Sequence, residues 1–329
     1  MDPKLKSPIL QKLLEAFHEA QEGTFISGEK LARIANCSRT AIWKHIEELK
    51  KEGFQIEAVR NKGYRLLDSP EWSESRFYLG LNTKVIGKKI FFYDSISSTQ
   101  TIAKELALKG EQEGTIVIAD EQVSGRGRMA RNWHSLKGAG LWMSMIIRPN
   151  IPIVKAPQIT LLTAVSYLLA IKKETNLNIG IKWPNDLLVN QKKVCGILTE
   201  LQAEENRVQS IIIGIGVNVN QSIEDFPPEL RNIATSLSIE KGEKIDRMRL
   251  LQTICSEFEN LYELYLKKGF PPIKELWEEH ALSIGKDITA HTISGSYRGI
   301  ATGINEDGVL LLQLSNGTIQ PIYSADIEL

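Results

Sequence analysis

The chain has 329 residues, 42% apolar and 24% charged, with 40 basic side chains against 40 acidic ones. That length carries two or three domains with real cores, and that composition excludes a disordered or fibrous chain. A formal charge of zero excludes a protein that coats nucleic acid or membrane non-specifically, so any such contact must come from a local patch. The three cysteines, Cys37, Cys195 and Cys255, have no metal-type spacing and fit reduced thiols. The first twenty residues carry charges throughout and lack a signal-peptide core. The longest apolar stretches, 161–171 and 211–219, are too short to span a bilayer. A cytoplasmic protein is expected.

In chain order, residues 9–20 have helical spacing, with Ile9, Leu10, Leu13, Leu14 and Phe17 on one face. Ser27 is placed to cap a short helix and Ser38 a third one reaching about Lys51. Segments 54–59 and 64–67, joined by Arg60-Asn61-Lys62-Gly63, read as a hairpin. Three short helices and a hairpin resemble a winged helix-turn-helix, here over 1–68. Its third helix leaves Ser38, Arg39, Thr40, Trp43 and Lys44 for DNA, and Lys62 and Arg65 in the wing within reach of phosphate.

After the linker Asp68-Ser69-Pro70-Glu71 a larger domain is expected over 76–275. Strands are predicted at 89–93, 115–119, 141–147, 179–182, 187–189, 194–202 and 208–219. Helices are predicted at 98–108, 156–173 and 247–267. The order implies a mixed or antiparallel sheet with helices on a face, an α+β protein and not a repeating βαβ one. Alternating residues from about 280 to 329 predict a small SH3-like β-barrel.

Three strings carry chemistry. Gly125-Arg126-Gly127-Arg128-Met129-Ala130-Arg131, with Trp133 behind it, sets three guanidinium groups on a glycine-pinned loop between two strands, an anion trap. Lys182-Trp183-Pro184-Asn185-Asp186, followed by Lys192-Lys193-Val194-Cys195-Gly196, interrupts a strand at proline and turns Lys182, Asn185 and Asp186 toward a ligand. Ser98-Thr99-Gln100 stands at a strand-to-helix junction, where an ordinary N-cap is the simpler reading. Gly214-Ile215-Gly216-Val217-Asn218 is no dinucleotide fingerprint; two glycines in an apolar strand favour a close backbone approach. Cys195 reads as a small buried residue.

Together these strings resemble the bifunctional biotin–protein ligase and biotin operon repressor family, over nearly the whole chain. The resemblance implies a class II synthetase-like ligase core that joins biotin to ATP, giving biotinyl-5′-AMP and pyrophosphate, with Mg²⁺. It also implies transfer of biotin to a lysine of a carboxylase's biotin carboxyl carrier domain, and a homodimer, promoted by the adenylate, on operator DNA. By resemblance Ser98, Thr99, Gln100, Gln122, Arg126, Gly127, Arg128 and Lys193 hold biotin. Gly125, Arg131, Trp133, Asn185 and Asn218 hold ATP or the adenylate. Arg128, Lys182 and Asp186 are catalytic, with Asp186 also placing the metal. The chain departs from the family at Met129-Ala130, where a basic residue and then glycine are common, and at 323–327, which lacks the usual Ser-Gly-Glu. A ligand-sensing regulator without ligase activity and a lipoate-type ligase are the alternatives; intact Arg128, Lys182 and Asp186 speak against the first, and the Arg and Lys-Trp-Pro strings against the second.

Overall fold

The computed structural model describes residues 8–20 and 23–328; residues 1–7, 21, 22 and 329, and what was expected of them, lie outside the described part. The chain divides into two compact units, 1–82 with 246–252, and 83–245 with 253–329.

The first unit begins with three helices, α1 (Pro8–Glu19), α2 (Gly28–Ala35) and α3 (Arg39–Lys51). Leu10, Leu13, Leu14 and Phe17 of α1 are buried with Leu31, Ile42, Ile46 and Leu49, so the helical spacing read in the sequence is the core-facing stripe. Ser27 and Ser38 cap α2 and α3, their hydroxyls accepting the amides of Lys30 and Ala41 at 3.1 Å. The hairpin β1 (Gln55–Val59) and β2 (Gly63–Asp68) follows. Tyr64 and Ile26 exchange two backbone bonds of 2.8 and 2.9 Å, which tie the hairpin to the segment before α2. A short helix, α4 (Glu74–Leu79), was not visible in the sequence pattern because its six residues are too few to show a period.

The second unit holds β3 (Ile90–Tyr93), α5 (Thr99–Leu108), β4 (Ile116–Ala119), β5 (Gly140–Ile147), α6 (Ala156–Thr175), β6 (Gly180–Lys182), β7 (Asp186–Val189), β8 (Lys192–Glu204) and β9 (Arg207–Asn218). After α7 (Leu237–Lys241) and α8 (Arg247–Lys268), whose first residues group with the other unit, come α9 (Pro271–His280) and the strands β10 (Asp287–Thr292), β11 (Gly295–Ile304), β12 (Leu310–Leu314), β13 (Ile319–Ile322) and β14 (Asp326–Glu328).

Seven strands form one sheet in the order β3-β4-β5-β9-β8-β7-β6. Only β3 and β4 run parallel; the rest are antiparallel, the mixed sheet that the sequence implied. The β7–β8 and β8–β9 turns place Asn190-Gln191 and Glu205-Asn206 at positive φ, as tight two-residue hairpins require. Beyond Gly196, β8 leaves β7 and from Thr199 to Glu204 pairs with β9 alone. α5 buries Ala103 and Ala107 against Phe91, Val117, Ile146 and Ile212, while α6 packs along β6 to β9. α6 corrects one expectation: the helix carrying the first apolar run is long and apolar enough to cross a membrane. It is instead a core helix, two-thirds buried, since an apolar helix in a globular unit satisfies the same pattern. The C-terminal strands form a separate five-stranded sheet in the order β13-β12-β11-β10-β14, the last strand returning to the first.

Gly63 has φ +111°, and a Cβ there would lie 2.1 Å from the Ile26 carbonyl oxygen. Gly63→Ala should therefore break the Tyr64–Ile26 bridge and destabilise the first unit by about 2 kcal/mol or more. Chemical denaturation followed by the far-UV signal checks this; an unchanged midpoint would mean that the hairpin is not braced there.

Candidate functional site

A cavity of about 440 Å³ opens in the second unit, of the size that takes a small ligand. At one end stands the N-terminus of α5. Ser98 occupies the cap position, yet its side chain makes no cap bond, and its buried hydroxyl lacks a partner among the described residues. The ordinary N-cap expected from the sequence is therefore absent. Thr99 and Gln122 face each other, the Gln122 Oε1 accepting the Thr99 amide at 2.8 Å and its hydroxyl at 3.0 Å. Gln122 also donates to Ser135 Oγ at 2.9 Å. Gln100 points across the sheet: its Oε1 accepts from Ser144 at 2.9 Å, and its Nε2 donates to Glu200 at 2.9 Å and to the Ile212 carbonyl at 3.2 Å. Gly214 leaves the room for this, since a Cβ there would come within 2.5 Å of Gln100 Oε1. Burial alone would raise the Glu200 carboxyl, but hydrogen bonds from Lys104 and Gln100, with Arg126 nearby, hold it below its ordinary value.

The arginine loop is a small hairpin in its own right. Trp133 N–H bonds the Gly125 carbonyl at 2.9 Å, Arg126 bridges Asn132, and Gly127 N–H bonds the Arg131 carbonyl at 2.8 Å. Met129 at its tip has φ +55° and is 68% exposed. Two arginines of the loop are anchored: Arg128 donates to Asn185 Oδ1 at 2.8 Å and to Ser324 Oγ at 3.0 Å, and Arg131 pairs with Asp326. Asn185 is itself fixed by donating to the Ile197 carbonyl at 2.9 Å.

Trp133 lies over a cross-strand glycine pair, Gly196 opposite Gly216. A Cβ on Gly216 would stand 2.3 Å from the indole, and one on Gly196 2.7 Å from it. The indole N–H is buried without a partner among the described residues. Lys193 Nζ sits 5.1 Å from the centre of the same ring and 2.6 Å from Asp186 Oδ1. Lys182 lines the cavity, and no hydrogen bond or ion pair engages its ammonium among the described residues. Asn218 is nearly saturated: it donates to the Thr235 carbonyl at 3.0 Å and accepts from Gln221 at 3.2 Å. Lys193 exchanges backbone bonds with Ile233 and Thr235, which hangs an apolar wall of Phe226, Leu230, Ile233 and Ala234 beside the sheet. Cys195 is wholly buried, and burial pushes its thiol far above the ordinary range, so it stays protonated.

All the residues expected to hold biotin, together with Arg131, Trp133, Asn185 and Asn218, line this one cavity; Gly125 is buried and is not on the lining. Five cations, Arg126, Arg128, Arg131, Lys182 and Lys193, face two carboxylates, Asp186 and Asp326, so a neutral chain carries a cationic cavity suited to an anion. Among the described residues no cluster of three or more metal-type ligands exists. In the first unit, Arg39, Thr40, Trp43 and Lys44 are on α3, and Ser38 caps it. Arg65, expected within reach of phosphate, pairs with Glu57, bonds the Gly23 carbonyl and stacks on Phe25 at 4.7 Å.

Comparison with known proteins decides the family. Residues 92–218 match the Biotin/lipoate A/B protein ligase family, 9–65 an HTH domain, and 283–329 the Biotin protein ligase C terminal domain. The chain is 54% identical to the bifunctional ligase/repressor BirA of Bacillus subtilis (strain 168) over 99% of its own length and all of that protein. The chain belongs to the bifunctional biotin ligase/repressor family. It is 30% identical to BirA of Escherichia coli (strain K12) over 93% of this chain and 94% of that one. A solved biotin protein ligase from Aquifex aeolicus, in complex with biotin and ATP, superposes with a TM-score of 0.63 at 29% identity, covering 73% of this chain and 98% of that one.

Sequence reasoning missed Ser324 and Asp326, which anchor the loop, and the wall at 226–234. No local pattern marks the former, because their role exists only where the last strand meets the loop. Gly216→Ala should push Trp133 off its seat. The expected result is a red-shifted tryptophan emission in the wild-type background and none in a Trp133→Phe background. Equal spectra in both would remove the glycine pair from its role.

Proposed function

We propose that the chain forms biotinyl-5′-AMP from biotin and ATP, passes biotin to a lysine of a biotin carboxyl carrier domain, and represses the biotin operon when bound to its operator. The observation that carries this reading is one cavity whose lining holds, among the described residues, two polar groups without a partner, the Ser98 hydroxyl and the Trp133 indole N–H, beside an uncommitted Lys182 and the anchored arginines. In this reading Ser98, Thr99, Gln100 and Gln122 frame the biotin end. Gln100 and Asn218, already saturated, act more by shaping the wall than by offering free bonds. A carboxylate oxygen of biotin attacks the α-phosphorus of ATP, a P–O bond forms, and pyrophosphate leaves with the electron pair of the bond that breaks. Arg126, Arg128, Lys182 and Lys193 offset the charge that this brings together, with Gly125, Gly127 and Arg131 holding the loop over it. Trp133 and Asn185 border the nucleotide. The amine of the carrier lysine then attacks the acyl carbon, the C–O bond to AMP breaks, and the amine gives up one proton.

Mg²⁺ screens triphosphate charge when bound. Asp186 and Asp326 are the carboxylates on the lining and both are ion-paired, which suits an ion arriving on the nucleotide, with Asp186 contributing, better than a protein cage. We read 1–68 as the winged DNA-binding domain, 76–275 as the ligase core and 280–329 as an SH3-like barrel, the last supported by the return of β14 to β10. The unpaired margin of β8 from Thr199 to Glu204 offers backbone groups for a homodimer. The cytoplasm, with its reduced thiols, is the expected location.

Pyrophosphate release from ATP and Mg²⁺ should require biotin and not occur with lipoate. Arg128→Ala should slow it by roughly tenfold to a hundredfold, the loss of about 1.5–3 kcal/mol for a charge-assisted bond. Release with lipoate alone, or none with biotin from folded protein, would overturn the reading. For the repressor half, Arg39→Ala with Lys44→Ala should weaken operator binding and lower its salt slope by about 0.9 for each phosphate no longer neutralised, while ligation stays intact. Failure of both activities together would mean that these residues serve the fold.

A further inference from the structure

The second half of the reaction needs a protein, not a small molecule, at the mouth of the cavity. Large apolar side chains stand exposed on the lining or next to it in the chain: Met129 at the hairpin tip is 68% exposed, Ile233 on the wall 60% and Tyr323 75%. Arg128, which lines the cavity, and Ser324 are hydrogen-bonded, so the segments bearing Met129 and Tyr323, each adjacent in the chain to one of these two, are brought together beside the lining. Ile233 lines the cavity itself. Met129 holds a left-handed backbone conformation that costs a side chain free energy. A methionine held in a strained position with most of its surface in solvent is an adaptable surface for a partner.

We propose that Met129, Tyr323 and Ile233 form an apolar docking rim for the carrier domain that presents the acceptor lysine. The proposal rests on the ligase reading above. The occupant follows from two constraints. The acceptor amine must reach an acyl group inside the cavity, so the surface flanking that lysine necessarily meets this rim. The lining carries five cations against two carboxylates, so the matching partner has apolar residues next to its lysine and acidic residues farther out. The exposed apolar side chains are not needed for adenylation, in which no protein partner takes part.

The test separates the two half-reactions in the full-length protein. Met129→Asn keeps a residue tolerant of positive φ while removing the apolar surface, and Tyr323→Ser removes the second platform. Pyrophosphate release with biotin and ATP, without carrier, should be unchanged in both. Transfer of biotin from the preformed adenylate to hydroxylamine, a small nucleophile, should also be unchanged. The KM for the purified carrier domain should rise about tenfold, the usual effect of truncating an interface anchor, with kcat little altered, and Met129→Leu should restore it. An unchanged KM for the carrier would overturn the docking rim. Slowed transfer to hydroxylamine, or slowed pyrophosphate release, would overturn it as well, because Met129 would then act through the loop. Absence of pyrophosphate release from the wild type would count against the ligase reading itself, a different outcome.

Discussion

Cations gathered around one cavity repel one another, and most of the site's architecture is an answer to that repulsion. Most of these charges are held by a partner that does not cancel their use. Arg128 is spread between two neutral oxygens, of Asn185 and Ser324; Lys193 shares Asp186 and rests over an aromatic face; Arg131 meets Asp326. The hairpin bonds of the loop fix the guanidinium groups along a backbone track, so they cannot spread apart to relieve the repulsion. The result is a field prepared before an anion enters, which is where such a site gains over water: its dipoles and charges need no reorganisation when the reaction begins.

A second constraint is flatness. Gly196 and Gly216 face each other across two strands, and together they make a shelf on which an indole can lie against bare backbone. Any other residue there would lift Trp133 and, with it, the Lys193 ammonium above its ring. Gly214, one step along the same face, makes the equivalent allowance for Gln100. Three glycines in one sheet thus trade β-propensity for room for the Trp133 and Gln100 side chains, and the long pairing of β8 with β9 and β5 with β9 offsets the cost.

Much of this was legible in the chain. Strands and long helices showed because burial imposes periods of two or 3.6 on their residues, and the Arg-rich and Lys-Trp-Pro-Asn-Asp strings showed because no packing role calls for them. Tertiary consequences were less legible. The sequence set Arg65 within reach of phosphate, and only the fold shows Glu57 opposite it in the hairpin and the Phe25 ring against it. Ser98 reads as an ordinary cap until its hydroxyl is seen to cap nothing. α4 was too short to leave a signal. Asp326 and Ser324 sit in a segment whose local pattern says only that it alternates.

The Arg131–Asp326 pair joins residues 195 positions apart. A contact of that span forms late in a growing chain, since the ribosome must deliver β14 before the loop finds its anchor. A nascent chain that has folded its large sheet and helices therefore holds the loop through Arg128 and Asn185 alone, without the Ser324 and Asp326 anchors. Placing these anchors so far downstream of the loop makes delivery of the small C-terminal sheet a condition for the fully anchored loop.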